Sequence, residues 1–201
     1  MSFDRDQVID QICSALEKVE ITDGCDQTKK DGQRRASVLM PLVKRDDWQV
    51  IFTQRPQTMP THAGQISFPG GKIEAGETAI EAAFRETEEE IGLKAHQINM
   101  IGRLPSFNAA WSFRVTPFVG LIDSQAVIMP DPVEVEEAFE VPLKFLLNAK
   151  NHIPRHIVRP DKAFTMYDMP YEDEFGIHRN IWGMTAMIIY ELYERGFSDA
   201  A

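Results

Sequence analysis

The stretch "GGKIEAGETAIEAAFRETEEEIGL", residues 70–93, crowds Glu86, Glu88, Glu89 and Glu90 beside a single arginine, Arg85. Thr78 and Glu81 form a T-x-x-E capping box that starts a helix at about Ala79. Gly92, followed by Leu93, supplies a left-handed stop. At about 100° per residue, Ile80, Ala83, Phe84 and Ile91 share one stripe, which should face the core. Glu86, Glu89 and Glu90 share another, and Glu88 points away into solvent. Like charges three and four apart repel by a few tenths of a kcal/mol per pair, so a positive partner is expected between them. Three carboxylates on one helix edge suit a hard divalent cation such as magnesium, which takes oxygen ligands and bridges to phosphates. Ala82, one turn before Glu86, leaves room for a ligand to approach. On these glutamates alone, a solvated acidic face is the competing reading. The preceding "FPGGKIEAGE" changes the balance. Its glycines let the backbone come close to a ligand or metal, and a glycine-rich turn entering a helix aims N–H groups at anions.

Around this segment lies an ordinary globular chain of 201 residues, 43% hydrophobic and 26% charged. That length holds one domain with a sizeable core. The net charge of −10 excludes a nucleic-acid or anionic-membrane binder that works by bulk attraction. A polyanionic substrate then needs local help from basic residues or bound cations. Cys13 and Cys25 show no metal-ligand spacing, and disulfide-stapled folds use many more cysteines. The opening "MSFDRDQVIDQICSALEKVE" has no signal-peptide pattern, and no apolar run approaches the roughly 18 residues of a membrane span. The expectation is a cytoplasmic protein with no membrane partner.

Residues 4–19 read as a helix through Val8, Ile12, Ala15, Leu16 and Val19, and "TDGCDQTKKDGQRR" as a linker. "ASVLMPLV" and "WQVIFTQR" read as strands around a "KRDD" turn. Residues 56–67, with Pro56, Pro60 and Gly64, read as a long irregular connection of the kind that is usually functional. "INMIGRLPSF" and "FRVTPFVGLI" are strand-like, "MPDPVEVEEAFEVPL" is an acidic turn region, and 142–149 is a short helix. Strand signals over 150–178 are weak. "IWGMTAMIIYELYERG" is a closing helix stopped by Gly196, and its apolar stripe is a candidate homodimer face. Strands interleaved with helices predict a mixed-sheet α/β sandwich.

The box as a whole fits G-x5-E-x7-R-E-U-x-E-E-x-G-U, with U a bulky aliphatic residue. Gly71, Glu77, Arg85, Glu86, Glu89, Glu90, Gly92 and Leu93 fill its fixed positions, and Thr87 stands at one aliphatic position, where it should weaken packing slightly. This resembles the Nudix hydrolase family. The resemblance implies an α/β/α sandwich with a mixed sheet over 34–197, preceded by an N-terminal helix and linker over 1–33. It also implies hydrolysis of a diphosphate linked to another moiety, with Mg2+ or Mn2+ as cofactor. It assigns Glu86, Glu90 and Glu89 as metal ligands, Glu89 alternatively as base, and the Gly71 carbonyl as a further ligand. Arg85 would pair with Glu77 and fix the loop against the helix.

Upstream, "IFTQRPQTMPTHAGQISFPGG" resembles the signature of the coenzyme A pyrophosphatase subgroup, L-L-T-x-R-S-x3-R-x3-G-x3-F-P-G-G. Thr53, Arg55, Gly64, Phe68, Pro69, Gly70 and Gly71 match, while Pro56 replaces the serine and Pro60 the second arginine. "FRVTPFVG", "PVEVEEAFEVPL" and "IWGMTA" are similar to the same subgroup. The implied substrate is coenzyme A or an acyl-CoA, cleaved to 3',5'-ADP and (acyl-)4'-phosphopantetheine. Arg55 and Lys72 are the foremost substrate-binding candidates, followed by Arg35 and Arg34. The missing arginine keeps open the same chemistry on ADP-ribose, a dinucleotide or a nucleoside triphosphate. A nucleotide-binding module without catalysis is the rival of another class, and a calcium-binding surface is a third that lacks the EF-hand pattern.

Outside the box, Glu134, Glu136 and Glu137 are candidates for a general base, against a reading as a solvated acidic turn. His62 is a candidate phosphate contact. His96, His152, His156 and His178 read as surface or loop residues. Phe107, Trp111 and Phe113 are more readily core than adenine-stacking residues, and Trp182 reads as core or dimer face.

Overall fold

The computed structural model describes residues 6–18, 34–59, 63–109, 113–158 and 163–198. Val19, Cys25, Pro60, His62, Trp111 and most of the linker region lie outside them. Helix α1 (Gln7–Ala15) is shorter than its apolar periodicity predicts. Asp6 caps its start, and at the other end Leu16 is already extended. Glu17 is drawn to the sheet edge, exchanging backbone hydrogen bonds of 2.9 and 3.0 Å with Arg103.

Strands β1 (Arg34–Lys44), β2 (Trp48–Gln54), β3 (Ile66–Ser67) and β4 (Gly70–Lys72) lead into helix α2 (Ala79–Ile91). Then come β5 (Ile98–Arg103), β6 (Phe107–Ala109), β7 (Phe113–Ile122), β8 (Glu137–Pro142) and the short helix α3 (Leu143–Leu146). One 8-stranded sheet runs β3-β2-β1-β7-β5, with β4 on β1, β6 on β7 and β8 on β2. The β1–β7 pair is parallel and the others antiparallel, so the sheet is mixed. A second, 3-stranded antiparallel sheet combines β9 (Ile153–Val158), β10 (Ala163–Glu172) and β11 (His178–Trp182), and helix α4 (Gly183–Gly196) ends the described chain.

Period-two alternation divides the core into two. Leu39, Val43, Ile51, Phe118 and Ile122 meet Ala79, Ala83 and Ile91 of α2 on one face. Met40, Leu42, Val50, Phe52, Val119 and Leu121 meet Ile9 and Ile12 of α1 and Ile188, Ile189 and Leu192 of α4 on the other. The result is an α/β/α sandwich. A strand such as β1, buried on both faces, reads in sequence as a continuous apolar run. Among the described residues no helix is long and apolar enough to cross a membrane.

Several local expectations change. The acidic turn region ends in a strand, because Phe139 and Val141 alternate inward and Glu137–Pro142 pairs with β2. On α2, Ile80 and Phe84 only flank the core, while Ala82 and Thr87 are wholly buried. Ala82 is thus covered by the protein itself. Thr87 is accommodated because its hydroxyl donates to the Ala83 carbonyl at 2.6 Å, so burial leaves no polar group unsatisfied. Trp182 is 42% exposed, not core. His152 is 7% exposed and no surface residue; its Nε2 sits 2.6 Å from the Leu146 carbonyl, among the rings of Tyr167, Tyr190 and Tyr193.

Gly70 is the tightest point of the scaffold. Its φ is +151°, and an added Cβ would lie 2.3 Å from the Ser37 carbonyl oxygen and 2.6 Å from Val38 Cα. Both obstacles are backbone of the central strand. Gly70→Ala should therefore cost roughly 2–4 kcal/mol, lowering Tm by about 5 °C or more. Thermal melts check this, and a variant that melts with the wild type contradicts it.

Candidate active site

The local signals of α2 act as its sequence predicts. Thr78 and Glu81 form the reciprocal capping box, and Gly92 closes the helix at φ 72°, its N–H donating to the Glu88 carbonyl. Register between β1 and β4 pairs Ser37 with Gly71 and Val38 with Gly70, which lays the glycines under the acidic edge of the helix. An added Cβ on Gly71 would lie 2.5 Å from the carboxylate carbon of Glu86. Only glycine leaves Glu86 this position.

Arg85 occupies the centre. Its Nε and Nη2 grip Glu77 at 2.8 and 3.1 Å, its Nη1 reaches Glu86 and Glu89 at 2.9 Å each, and its Nη2 also donates to the Lys72 carbonyl at 3.0 Å. Glu77 in turn accepts the Glu74 N–H at 2.9 Å. The hydrogen-bonded guanidinium holds the Glu77 carboxyl below its usual range, and the same pairing raises Arg85. Glu86 moves the opposite way, because burial outweighs its share of Arg85.

Glu90 is different. It is 5% exposed, and its Oε2 has no hydrogen-bond partner among the described residues. Burial, with the charge of Glu86 beside it, pushes Glu90 up to about 8, against the pull of the Gly70 N–H and of Arg55. A buried carboxylate with an open oxygen wants a cation. Among the described residues no three acidic, His or Cys side chains are already gathered around a metal position. The reason lies in Arg85, which draws Glu86 and Glu89 to its Nη1 while its other nitrogens hold the loop. The donor set, all carboxylate and carbonyl oxygen, fits a hard divalent ion.

The three acidic residues outside the box differ in their surroundings. Glu134 acts electrostatically on both Glu86 and Glu90. Its segment is pinned there by the Asp131 N–H on the Glu90 carbonyl at 3.0 Å. Glu136 instead accepts the Gln57 N–H at 3.2 Å, and Glu137 is paired with Arg179 at 2.7 Å.

Among the basic candidates outside the box, Arg55 is the one whose charge acts on Glu90. Its Nε is buried without a partner among the described residues. The Lys72 side chain is exposed and Arg35 half-buried, and neither forms an ion pair with these carboxylates. Arg34 lies over the Phe113 ring at 5.7 Å. The remaining matches of the upstream segment are scaffold. Phe68 stacks on Phe52 at 5.1 Å, Pro69 accepts the Leu39 N–H at 2.9 Å, and Gly64 turns at φ 65° to donate to the Arg55 carbonyl. His96, His156 and His178 are exposed, as their sequence context predicts.

A family model described as NUDIX domain matches residues 33–159. The chain belongs to the Nudix hydrolase family. It is 35% identical over 161 residues to the uncharacterized Nudix hydrolase NudL of Pectobacterium atrosepticum, covering 80% of this chain and 81% of that one. Identity to the uncharacterized Nudix hydrolase NudL of Escherichia coli strain K12 is 37% over 160 residues, 79% of this chain and 81% of that one. A solved structure, a MutT/nudix family protein from Enterococcus faecalis, shares the fold with a TM-score of 0.54 at 13% identity, covering 96% of this chain and 75% of that chain. The protein is thus a Nudix pyrophosphohydrolase. Nudix enzymes act on small-molecule substrates and generally use divalent ions such as Mg2+ or Mn2+.

The state of Glu90 has a measurable consequence for this Nudix site. Its folded-state pKa of about 8 lies above the usual carboxyl value, so the folded chain holds this proton more tightly than the unfolded one. Ionisation then works against the fold: stability falls as pH rises through the interval up to about 8, and the full cost is present above it. In metal-free protein Glu90→Gln should raise Tm by at least about 2 °C at about pH 9 and leave it unchanged at about pH 5. An equal difference at both pH values would contradict the assignment.

Proposed function

We propose that the chain hydrolyses the diphosphate of coenzyme A or an acyl-CoA, releasing 3',5'-ADP and (acyl-)4'-phosphopantetheine. The observation that carries this reading is the unsatisfied Nε of Arg55, the one charged match of the coenzyme A-type segment, buried without a partner among the described residues, with the charge of Arg55 acting on the buried carboxylate of Glu90. A diphosphate oxygen is the partner that suits both that nitrogen and the cation Glu90 calls for.

Glu86, Glu90 and Glu89, with the Gly71 carbonyl, are the groups to hold Mg2+ or Mn2+. When bound, such an ion neutralises the diphosphate and makes water a better nucleophile. The chain's own residues supply the rest. Arg85 and Glu77 keep the loop against the helix, so that Gly71 and Glu86 stay in contact. The two-point grip of Arg85 on Glu77 uses Nε and Nη2, apart from the Nη1 that contacts Glu86 and Glu89, so the loop would stay tied to the helix if those two carboxylates held a cation. Glu89, half-exposed, and Glu134, whose charge acts on Glu86 and Glu90, are the carboxylates able to take a proton from water. Arg55 offsets the charge of the phosphates in a protein that is otherwise strongly acidic.

The test is product analysis with coenzyme A, acetyl-CoA, ADP-ribose, diadenosine polyphosphate and nucleoside triphosphates, each with magnesium and with manganese. Coenzyme A should give the highest kcat/KM, and Glu86→Gln and Glu90→Gln should each lower it at least about a hundredfold. A preference for any other compound replaces the substrate assignment, and metal-independent turnover ends it.

Two substitutions separate binding from scaffold. Arg55→Ala should raise KM for coenzyme A about tenfold or more, the usual worth of a charge-assisted hydrogen bond. Gly71→Ala should keep the wild-type Tm within about 2 °C, because its obstacle is the mobile end of Glu86, yet lose at least about tenfold in kcat by displacing that carboxylate. Unimpaired turnover in Gly71→Ala would show that Glu86 does not need its place against the glycine.

A further inference from the structure

We propose that Asp131 is a positioning residue of the active site, building the turn that holds Glu134 toward the acidic edge of α2. This role rests on the diphosphate hydrolysis proposed above, in which Glu134 is one of the carboxylates able to take a proton from water.

The segment "MPDPVEVE", residues 129–136, is anchored at both ends. The last carbonyls of a helix have no partner within it, and two of those of α2 are taken by this segment. The Met129 N–H donates to the Ile91 carbonyl at 2.9 Å and the Asp131 N–H to the Glu90 carbonyl at 3.0 Å. Pro130 and Pro132 fix their own φ and disfavour a helical conformation at Met129 and Asp131 before them. At the far end Val135 is buried, and the Glu136 N–H donates to the Gln54 carbonyl at 2.9 Å. The strip thus runs from the helix residue with the buried carboxylate to the strand residue just before Arg55. Glu134 lies between its two attachments.

Asp131 shapes the middle. Its Oδ1 accepts the Val133 N–H at 2.8 Å. Its carbonyl accepts the N–H groups of Glu134 at 3.1 Å and Val135 at 2.8 Å. Aspartate followed by proline is favoured chemistry for the start of such a turn, the side chain closing a ring onto the backbone two residues on. Any residue could offer the carbonyl, but the Oδ1 contact needs a side-chain oxygen at that reach, which Asp and Asn supply best. One residue therefore sets where the turn attaches, through its N–H on Glu90, and how it folds, through its carboxylate. From this turn the charge of Glu134 acts on both Glu86 and Glu90. Asp123 provides a comparison within the same chain. Its Oδ1 accepts the Gln125 N–H at 2.9 Å in the same way, but its own N–H goes to the Gln97 carbonyl at 3.1 Å, outside the box.

The test measures kcat and KM, with magnesium, on the diphosphate compound that the wild type turns over fastest. Glu134→Gln should lower kcat at least about a hundredfold, the usual worth of a general base. Asp131→Ala and Asp131→Glu should each lower kcat about tenfold by displacing that base, with KM held within about twofold. Asp131→Asn keeps the accepting oxygen while losing the charge, and should stay within about twofold of wild type, as should Asp123→Ala. Asp131→Ala combined with Glu134→Gln should be no slower than Glu134→Gln alone, since a base already removed cannot be displaced. Losses that multiply in the double variant would mark a merely structural aspartate and overturn the proposal. So would an equal loss in Asp123→Ala, or Asp131→Glu outperforming Asp131→Asn, the order expected of a charge acting directly. The Asn and Glu comparison decides even where the Ala variant is too unstable to assay. Full activity of Glu134→Gln would also overturn it and leave Glu89 as the base. The expected pattern on a compound other than coenzyme A would sustain the positioning role and remove the coenzyme A reading. Coenzyme A turnover with an unimpaired Asp131→Ala would remove the positioning role alone.

Discussion

One guanidinium sets the geometry of the site. Arg85 reaches both oxygens of Glu77, one oxygen each of Glu86 and Glu89, and the Lys72 carbonyl. Exposed ion pairs contribute little on average, but this one is partly buried, forked and charge-assisted, the conditions under which such contacts become strong. Its effect is positional. By joining the Lys72–Glu77 loop to the helix, it holds the double glycine beneath Glu86 and Glu90. The Gly70 N–H then meets Glu90, and Gly71 leaves the space that the Glu86 carboxylate fills. Without that tie, the capping box and the Gly92 stop would still form a helix, but its acidic edge would face an unfixed loop.

The tie does not balance the charge. Glu86, Glu90 and Glu134 repel one another across the site, and among the described residues Arg85 and Arg55 supply positive charge to its carboxylates. Glu77 takes the largest share of Arg85 and is easily ionised. Glu90, innermost and with an open oxygen, holds its proton up to about pH 8. The strain of that arrangement is electrostatic and local, so an added cation relieves it at the point where a diphosphate would have to arrive. A chain with a net charge of −10 otherwise repels such a substrate. Deficit and ligand are therefore complementary in the proposed chemistry.

The parts legible in sequence are those fixed by near neighbours. The α2 boundaries follow from Thr78, Glu81 and Gly92, and β1 and β2 from apolar runs buried on both faces. Strand β8 was hidden because Glu136, Glu137 and Glu140 mask the inward alternation of Phe139 and Val141. The second sheet gave weak signals because most of β9 and half of β11 face solvent. His152 carries no local mark of burial, since its cover comes from Tyr190 and Tyr193 some forty residues later. Of the two readings of Trp182, core fails because the alternation of Arg179 and Ile181 turns it outward. At the site, the box located Glu77, Arg85, Glu86, Glu89 and Glu90 together. Sequence ranked Arg55 and Lys72 ahead of Arg35, but it could not separate Glu134 from Glu136 and Glu137, because their surroundings come from residues distant in the chain such as Gln57 and Arg179.

The C-terminal region gains its meaning from the same connectivity. The family match ends at residue 159, so β10, β11 and α4 could be taken as an appendage. Their contacts argue otherwise. Strand β3 pairs Ile66 with Gln54, one residue before Arg55. Its carbonyls receive Thr185 on one side, while Arg179 binds Glu137 at the start of the strand that borders β2 on the other. The guanidinium of Arg179, almost fully buried, lies 4.2 Å from the centre of the Phe139 ring. The end of β2 that presents Arg55 is thus braced from both sides by residues beyond the matched segment. The second sheet and α4 are therefore part of the frame that fixes the end of β2 and the backbone of Arg55, not an addition to it.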